Sequence, residues 1–261
     1  MSKLNLYGKG YTSGELLAIP NSETILITEL TLEKNRIDDL SPLGNFPNLT
    51  GLCICNNQVD DLTPLSALRH LFGLCLADNR IEDVSPLSHL SNLNNLRLHN
   101  NLIDDIAPLA QLSQLKSLKL SSNVIDDFSP IADLQNLTTL CLCNTQIDDL
   151  APLADLSNLQ WLCLQYNGIE DLSSLSNLTN LQELHLMGNQ IEDISPLAGL
   201  TALETLELSD NQIQDTSVLH TLPNLKYLAL SGNQVEAPQI AQIAQAVPDC
   251  VIEMFPAGFS I

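Results

Sequence analysis

The sequence predicts an α/β solenoid: a curved horseshoe of about ten 22-residue repeats, with a parallel β-sheet on the concave face and short 3₁₀ or irregular turns on the convex face. Three observations predict it. Asn recurs every 22 residues, at Asn35, Asn57, Asn79, Asn101, Asn123, Asn167, Asn189, Asn211 and Asn233, with Thr145 in the one remaining slot and no insertion or deletion in the series. A Leu-x-Leu pair precedes these residues, as in Leu118-x-Leu120 and Leu184-x-Leu186. Apolar residues spaced by three follow them, as in Ile191, Ile194, Leu197 and Leu200.

Each element follows from that frame. Leu-x-Leu has period two, so both leucines of a short strand face inward. Spacing by three suits a tight 3₁₀-like turn. Ser41-Pro42 and Ser195-Pro196 read as a cap followed by proline at the first helical position. The Asn amide can donate to one carbonyl and accept from one N–H in the bend after the strand, satisfying groups that would otherwise be buried unpaired. Thr145 supplies less of this and marks an expected local weak point. One repeat cannot close a core, because its leucines need a neighbour on each side. The predicted organisation is an N-terminal cap over 1–24, the solenoid over 25–236 and a C-terminal cap over 237–261. Leu4-x-Leu6 and Glu15 to Ile19 build the first cap; a helix through Ala246 and a strand Val251-x-Glu253-x-Phe255 build the second. Gly8-x-Gly10 lacks the spacing of a phosphate loop and is assigned no ligand.

With the motif Ile191-x-Asp193-Ile194-Ser195-Pro196-Leu197 in place, the frame resembles the leucine-rich repeat family in its 22-residue internalin-like class. The plainer 22-residue repeats of the protein phosphatase 1 regulatory subunit are similar but usually lack the Pro-Leu. The resemblance spans about residues 25–236. It implies a protein-binding horseshoe, a scaffold without catalysis.

The chain is acidic, with a formal net charge of −21. Much of this has a structural address. Acidic pairs follow the ladder position by three and four residues: Asp38-Asp39, Asp60-Asp61, Glu82-Asp83, Asp104-Asp105, Asp126-Asp127, Asp148-Asp149, Glu170-Asp171 and Glu192-Asp193, with Asp215 continuing the second column. The second acid is expected to accept backbone N–H bonds at the start of the turn. Stacked carboxylates also suit calcium as a possible ligand. No basic stripe exists to neutralise phosphates, which argues against nucleic acid, and a charged partner is expected to be basic. Residues 1–14 carry no apolar signal core and no run of eighteen apolar residues occurs, so no membrane contact is expected and the predicted location is the cytoplasm, non-classical export remaining open. The Asn-Leu-Thr sequons at Asn48, Asn136 and Asn177 are read as accidents of the repeat.

Counting back six, four, two and one from each ladder residue gives the side chains expected on the concave face. Six of the seven cysteines fall there: Cys53, Cys55 and Cys75, and, 88 residues later, Cys141, Cys143 and Cys163. Duplication of a four-repeat block accounts for the match. Disulfides fit poorly on this reading, since Cys53 and Cys55 point the same way along one strand and Cys53 and Cys75 lie straight across with parallel Cβ vectors. Free thiols in a reducing compartment are expected. A tetrahedral zinc set of Cys141, Cys143, Cys163 and His185 is the alternative functional reading, although parallel strands should splay the side chains. Cys250 is expected to be a buried cap residue.

Large side chains gather on repeats six to nine: Trp161, Tyr166, Cys163, Glu183, His185, Met187, Glu207 and Tyr227. Trp161 is the only Trp of the chain, and Trp and Tyr are typical interface anchors. Arg97, His99 and Lys119 make a smaller basic patch. No Ser-His-Asp spacing, His-Glu-x-x-His or nucleotide loop is present, so an enzyme is not expected. The reading is a monomeric, non-catalytic module that binds a protein partner on its concave face without a cofactor.

Overall fold

The computed structural model describes residues 2–254. It divides into two compact units, residues 1–136 and 137–261. In the first, β1 (Ser2–Asn5), β2 (Ile27–Thr31), β3 (Gly51–Cys53), β4 (Gly73–Cys75), β5 (Asn95–Arg97) and β6 (Ser117–Lys119) pair in parallel and in sequence order. In the second, β7 (Thr139–Cys141), β8 (Trp161–Cys163), β9 (Glu183–His185), β10 (Thr205–Glu207), β11 (Tyr227–Ala229) and β12 (Val251–Glu253) do the same. The register is constant: Leu52 faces Leu74, which faces Leu96, and Leu162 faces Leu184, which faces Leu206. A fixed repeat length permits only this stacking.

The inward leucines form the core. Leu96, Leu98, Leu184 and Leu186 are fully buried, and so are the turn residues Leu87, Leu93, Leu197 and Leu200. Ahead of β2, helix α1 (Ser13–Leu17) seats Leu16 in the core, and α2 (Asn21–Thr24) follows. Helix α3 (Ala237–Ala246) buries Ile243 after the last repeat. Phe255, expected to end the final strand, lies outside the described residues.

The ladder Asn does more than expected. Asn189 Nδ2 donates to Leu186 O in its own repeat at 2.8 Å and to Leu164 O in the preceding repeat at 3.0 Å, while its Oδ1 accepts from Ile169 N–H at 3.2 Å. Asn57, Asn79, Asn101, Asn211 and Asn233 make the same three contacts. Each therefore ties two neighbouring repeats together through backbone groups. Thr145 is fully buried and offers one hydroxyl, which donates to Leu142 O at 2.8 Å. Asn167 accepts there from Thr145 N–H, at 3.0 Å, where the other repeats present the residue two further on. Gln146 adopts φ +67° beside Asn144 at φ +54°, so the bend takes two left-handed residues where neighbouring repeats take one.

The turns correct one expectation. Ser41 and Ser195 are the first residues of their 3₁₀ turns rather than the caps. The capping acceptor is the second acid of each pair. Asp39 Oδ1 accepts from Ser41 N–H at 2.8 Å and Oδ2 from its hydroxyl at 2.6 Å. Asp61, Asp83, Asp105, Asp127, Asp149, Asp171, Asp193 and Asp215 accept from the backbone two residues on in the same way. A carboxylate accepts both the N–H and the hydroxyl, so Asp is the stronger cap and the Ser hydroxyl serves as its donor.

Two outcomes follow. Asn189→Ala leaves the buried Ile169 N–H without its acceptor and takes one of two amide donors from each of Leu164 O and Leu186 O, which keep those of Asn167 and Asn211, and should cost about 1–3 kcal/mol in denaturant melts; a loss within error contradicts the ladder's role. Hydroxyl and backbone N–H donation from Ser41 and Thr63 lowers the pKa of Asp39 and Asp61, and backbone N–H and hydroxyl donation from Ser129, Ser173 and Ser217 lowers those of Asp127, Asp171 and Asp215. Stability from a depressed carboxyl is complete above its unfolded pKa of about 3.9 and is lost as pH falls through the lower folded value. Melting temperature should therefore drop between about pH 5 and pH 2.5, and replacing these five with Asn should shrink the drop; an undiminished drop contradicts the assignment.

Candidate functional site

Strand alternation sends the leucines inward and leaves the residues between them on the opposite face of each sheet. On the second unit this face carries Trp161, whose strand partners are Thr139 and Glu183. The Trp161 ring is half-buried and lies against the His185 imidazole, with ring centroids 5.3 Å apart and planes inclined at 48°. His185 is fixed from below. Its Nδ1 lies 2.9 Å from Glu207 Oε2, which also accepts from Gln165 Nε2 at 2.6 Å. Its Nε2 is buried, has no hydrogen-bond partner among the described residues and lies 3.5 Å from Glu183 Oε2. Gln165, Glu207 and His185 thus support a half-buried aromatic ring on the strand face.

Tyr166 sits one residue before the ladder, where the backbone is left-handed in all ten repeats (φ +56° here). Its ring is exposed, and its hydroxyl approaches Met187 Sδ at 3.4 Å. It lies directly over Gly188, where an added Cβ would come within 2.6 Å of the ring, so the glycine lets the ring settle there. Tyr227 donates its hydroxyl to Glu253, which, ahead of burial, pushes the phenol pKa up to about 12. Met187, Glu207 and Tyr227 line a depression of about 330 Å³ together with Ser209, Asp210, Ala229, Ser231 and Glu253. The sequence had signalled the first three and missed the role of Glu253, which arrives from the C-terminal strand through β11–β12 pairing.

On the first unit, Arg97 and Lys119 are register partners on adjacent strands, and His99 follows two residues after Arg97. Burial lowers the His99 pKa; Asp78 works against that, while Lys119 and Arg97 add to it. The same face holds a depression of about 340 Å³ over Gly51 and Gly73, edged by Glu29, Cys53, Cys75 and Arg97. At Gly73 an added Cβ would meet nothing within 4 Å, so the missing side chain leaves open space rather than relieving a clash.

The cysteines overturn two expectations. Cys55 is bridged to Cys75 and Cys143 to Cys163, each with Cα atoms 6.0 Å apart. These pairs run diagonally, from the second position before one ladder residue to the fourth before the next. Considering only pairs along one strand or straight across hid a diagonal whose span fits a disulfide. The side chains also converge rather than splay: the three sulfurs of each trio all lie within 4.8 Å of one another. Cys53 Sγ is 3.6 Å from Cys55 Sγ, and Cys141 Sγ is 3.5 Å from Cys143 Sγ. His185 is the register partner of Cys163, but it falls outside the sulfur cluster and its imidazole is engaged by Glu207. Cys250, expected to be buried, is half-exposed; its helix-to-strand connection lies at the edge of the core, and burial still raises its thiol pKa.

The pattern of the family described as leucine rich repeats (2 copies) matches residues 27–67, 69–111, 113–155, 157–199 and 201–242. A comparison with curated proteins gives no match. Among solved structures, an internalin (InlF) from Listeria monocytogenes is 32% identical, with a TM-score of 0.83 over 97% of this chain and 80% of that one. Internalin C2 from the same organism is 34% identical, with a TM-score of 0.60 over 82% of this chain and 84% of that one. A leucine-rich repeat protein of Leptospira interrogans is 25% identical, with a TM-score of 0.65 over 90% and 74% of the two chains. Repeat frame, strand register and these likenesses agree: the chain belongs to the leucine-rich repeat family, in its internalin-like class.

Proposed function

We propose that the protein is a non-catalytic binding module whose concave strand face takes a protein partner, with the main contact on the second unit around Trp161. The single observation that carries this is the half-buried Trp161 ring on the strand face, lying against a His185 that is itself fixed by Glu207 and Gln165. A large aromatic that is rigid before binding loses little entropy on contact, which is what interface anchors require. Tyr166 adds an exposed aromatic side chain in the same repeat, Glu183 and Glu207 set carboxylates against His185, and Glu253 adds another farther along the sheet beside Tyr227. A segment with a basic side chain next to an apolar one fits that surface, and the net charge of −21 steers such a partner toward it. Arg97, His99 and Lys119 form a smaller, basic patch on the strand face of the first unit. The chain acts as a monomer in this reading, and no nucleic acid is involved. Among the described residues no helix is long and apolar enough to cross a membrane.

Affinity purification with the wild-type protein as bait, followed by titration of the captured partner, tests this. Trp161→Ala should weaken binding at least about tenfold, roughly 1.4 kcal/mol or more. Since Trp161 is the sole Trp, its fluorescence should also shift on binding. An unchanged dissociation constant would refute the placement at Trp161.

A further inference from the structure

We propose that each cysteine trio, once its bridge is reduced, is a three-thiolate site for a thiophilic ion of low coordination number, copper(I) by preference, giving two equivalent sites per chain. The sulfurs of Cys53, Cys55 and Cys75 lie within 4.8 Å of one another, as do those of Cys141, Cys143 and Cys163. A disulfide explains two sulfurs of a trio and leaves the third, Cys53 or Cys141, packed at 3.6 or 3.5 Å against a sulfur it is not bonded to. Three thiolates converging from two neighbouring strands make the soft donor set that selects copper(I).

Duplication gives the two trios a common origin, and what has changed around them since sets the sulfurs apart. Along the paired repeats the other outward positions have changed: Gly51 corresponds to Thr139, Gly73 to Trp161, Ala77 to Gln165 and Asp78 to Tyr166. The three cysteines are retained in both copies, with Asn56 and Asn144 beside them. What the two surfaces share is the sulfur set.

The fourth ligand decides the metal. Structural zinc sites are almost always four-coordinate. Beside the second trio, His185 is held by Glu207 and lies outside the sulfur cluster. In the first trio Arg97 occupies the matching position and cannot serve as a ligand. Three sulfurs with no fourth ligand in the cluster among the described residues suit trigonal copper(I) better than tetrahedral zinc.

The two states exclude each other, because a bridged sulfur has no thiolate to offer. Opening the Cys55–Cys75 bond consumes two electrons and two protons, supplied by a thiol reductant of the glutathione class that is itself oxidised to its disulfide. Copper(I) then binds three sulfurs and displaces three thiol protons to solvent. The proposal does not depend on the partner site at Trp161.

The test is anaerobic titration of phosphine-reduced protein with copper(I), read by thiolate-to-copper charge-transfer absorbance and by competition with a copper(I) chelating dye. About two ions per chain are expected. Cys53→Ser should remove one and Cys53→Ser/Cys141→Ser both, with unchanged circular dichroism, while Cys250→Ser should keep both. Protein left in its bridged form should bind none. Fewer than about 0.2 equivalents, binding indifferent to Cys53→Ser and Cys141→Ser, equal binding by the bridged form, or displacement of copper(I) by equimolar zinc would each overturn the proposal.

Discussion

At the bend after each strand, two carbonyls and an N–H turn inward where no neighbouring backbone group reaches them. The ladder Asn meets all three with one side chain, and because one carbonyl and the N–H belong to the preceding repeat, it welds repeats as well as bends. Such groups left unpaired in the core would offset a good part of what the leucine packing of a turn contributes. The 22-residue spacing follows from this: the amide must arrive at the same height above its neighbour in every repeat. An insertion would misplace one amide and strand the groups of two repeats.

The edge and the strand face follow from the same frame. Bends that close on Asn leave a tight turn to begin a fixed distance later, and Asp four residues on caps it with a charge-assisted bond. Nine of the 31 acidic residues therefore serve backbone geometry. The residue before each Asn is forced into a left-handed conformation, which glycine fills at 188 and 232 and other residues fill at a strain cost. Tyr166 bears that cost and gains a position over Gly188, where its ring stands clear of the sheet. Side chains between the leucines have no such duties, so the strand face is where residues are free to differ: glycines and thiols in one stretch, Trp161 and its histidine in another.

The stack was legible because its signals are local and repeated: Leu-x-Leu, Asn at constant spacing, and acids in register. Each needs only the chain's own periodicity. The Asp caps were legible for the same reason, although the Ser-Pro pair drew attention to the wrong acceptor. What the sequence hid are contacts between repeats that run off the straight columns. The Cys55–Cys75 and Cys143–Cys163 diagonals lie between one column and the next, so column-by-column reading passed over them. The Tyr227–Glu253 bond needs the C-terminal strand in place first. The gathering of large side chains near Trp161 could be counted from the ladder, but the fixing of His185 by Glu207 and Gln165 could not, because it depends on rotamers.

Residue-resolved amide hydrogen exchange addresses the central claim, that the Asn amides are what close the bends. Ile37, Val59, Ile81, Ile103, Ile169, Ile191 and Ile213 each donate their N–H to the Asn of the following repeat. Ile147, equally buried, stands at the one repeat where Asn167 accepts from Thr145 instead. The account predicts that the seven amides exchange as slowly as the strand amides and that Ile147 exchanges at least about tenfold faster. Uniform protection across all eight, Ile147 included, would contradict it.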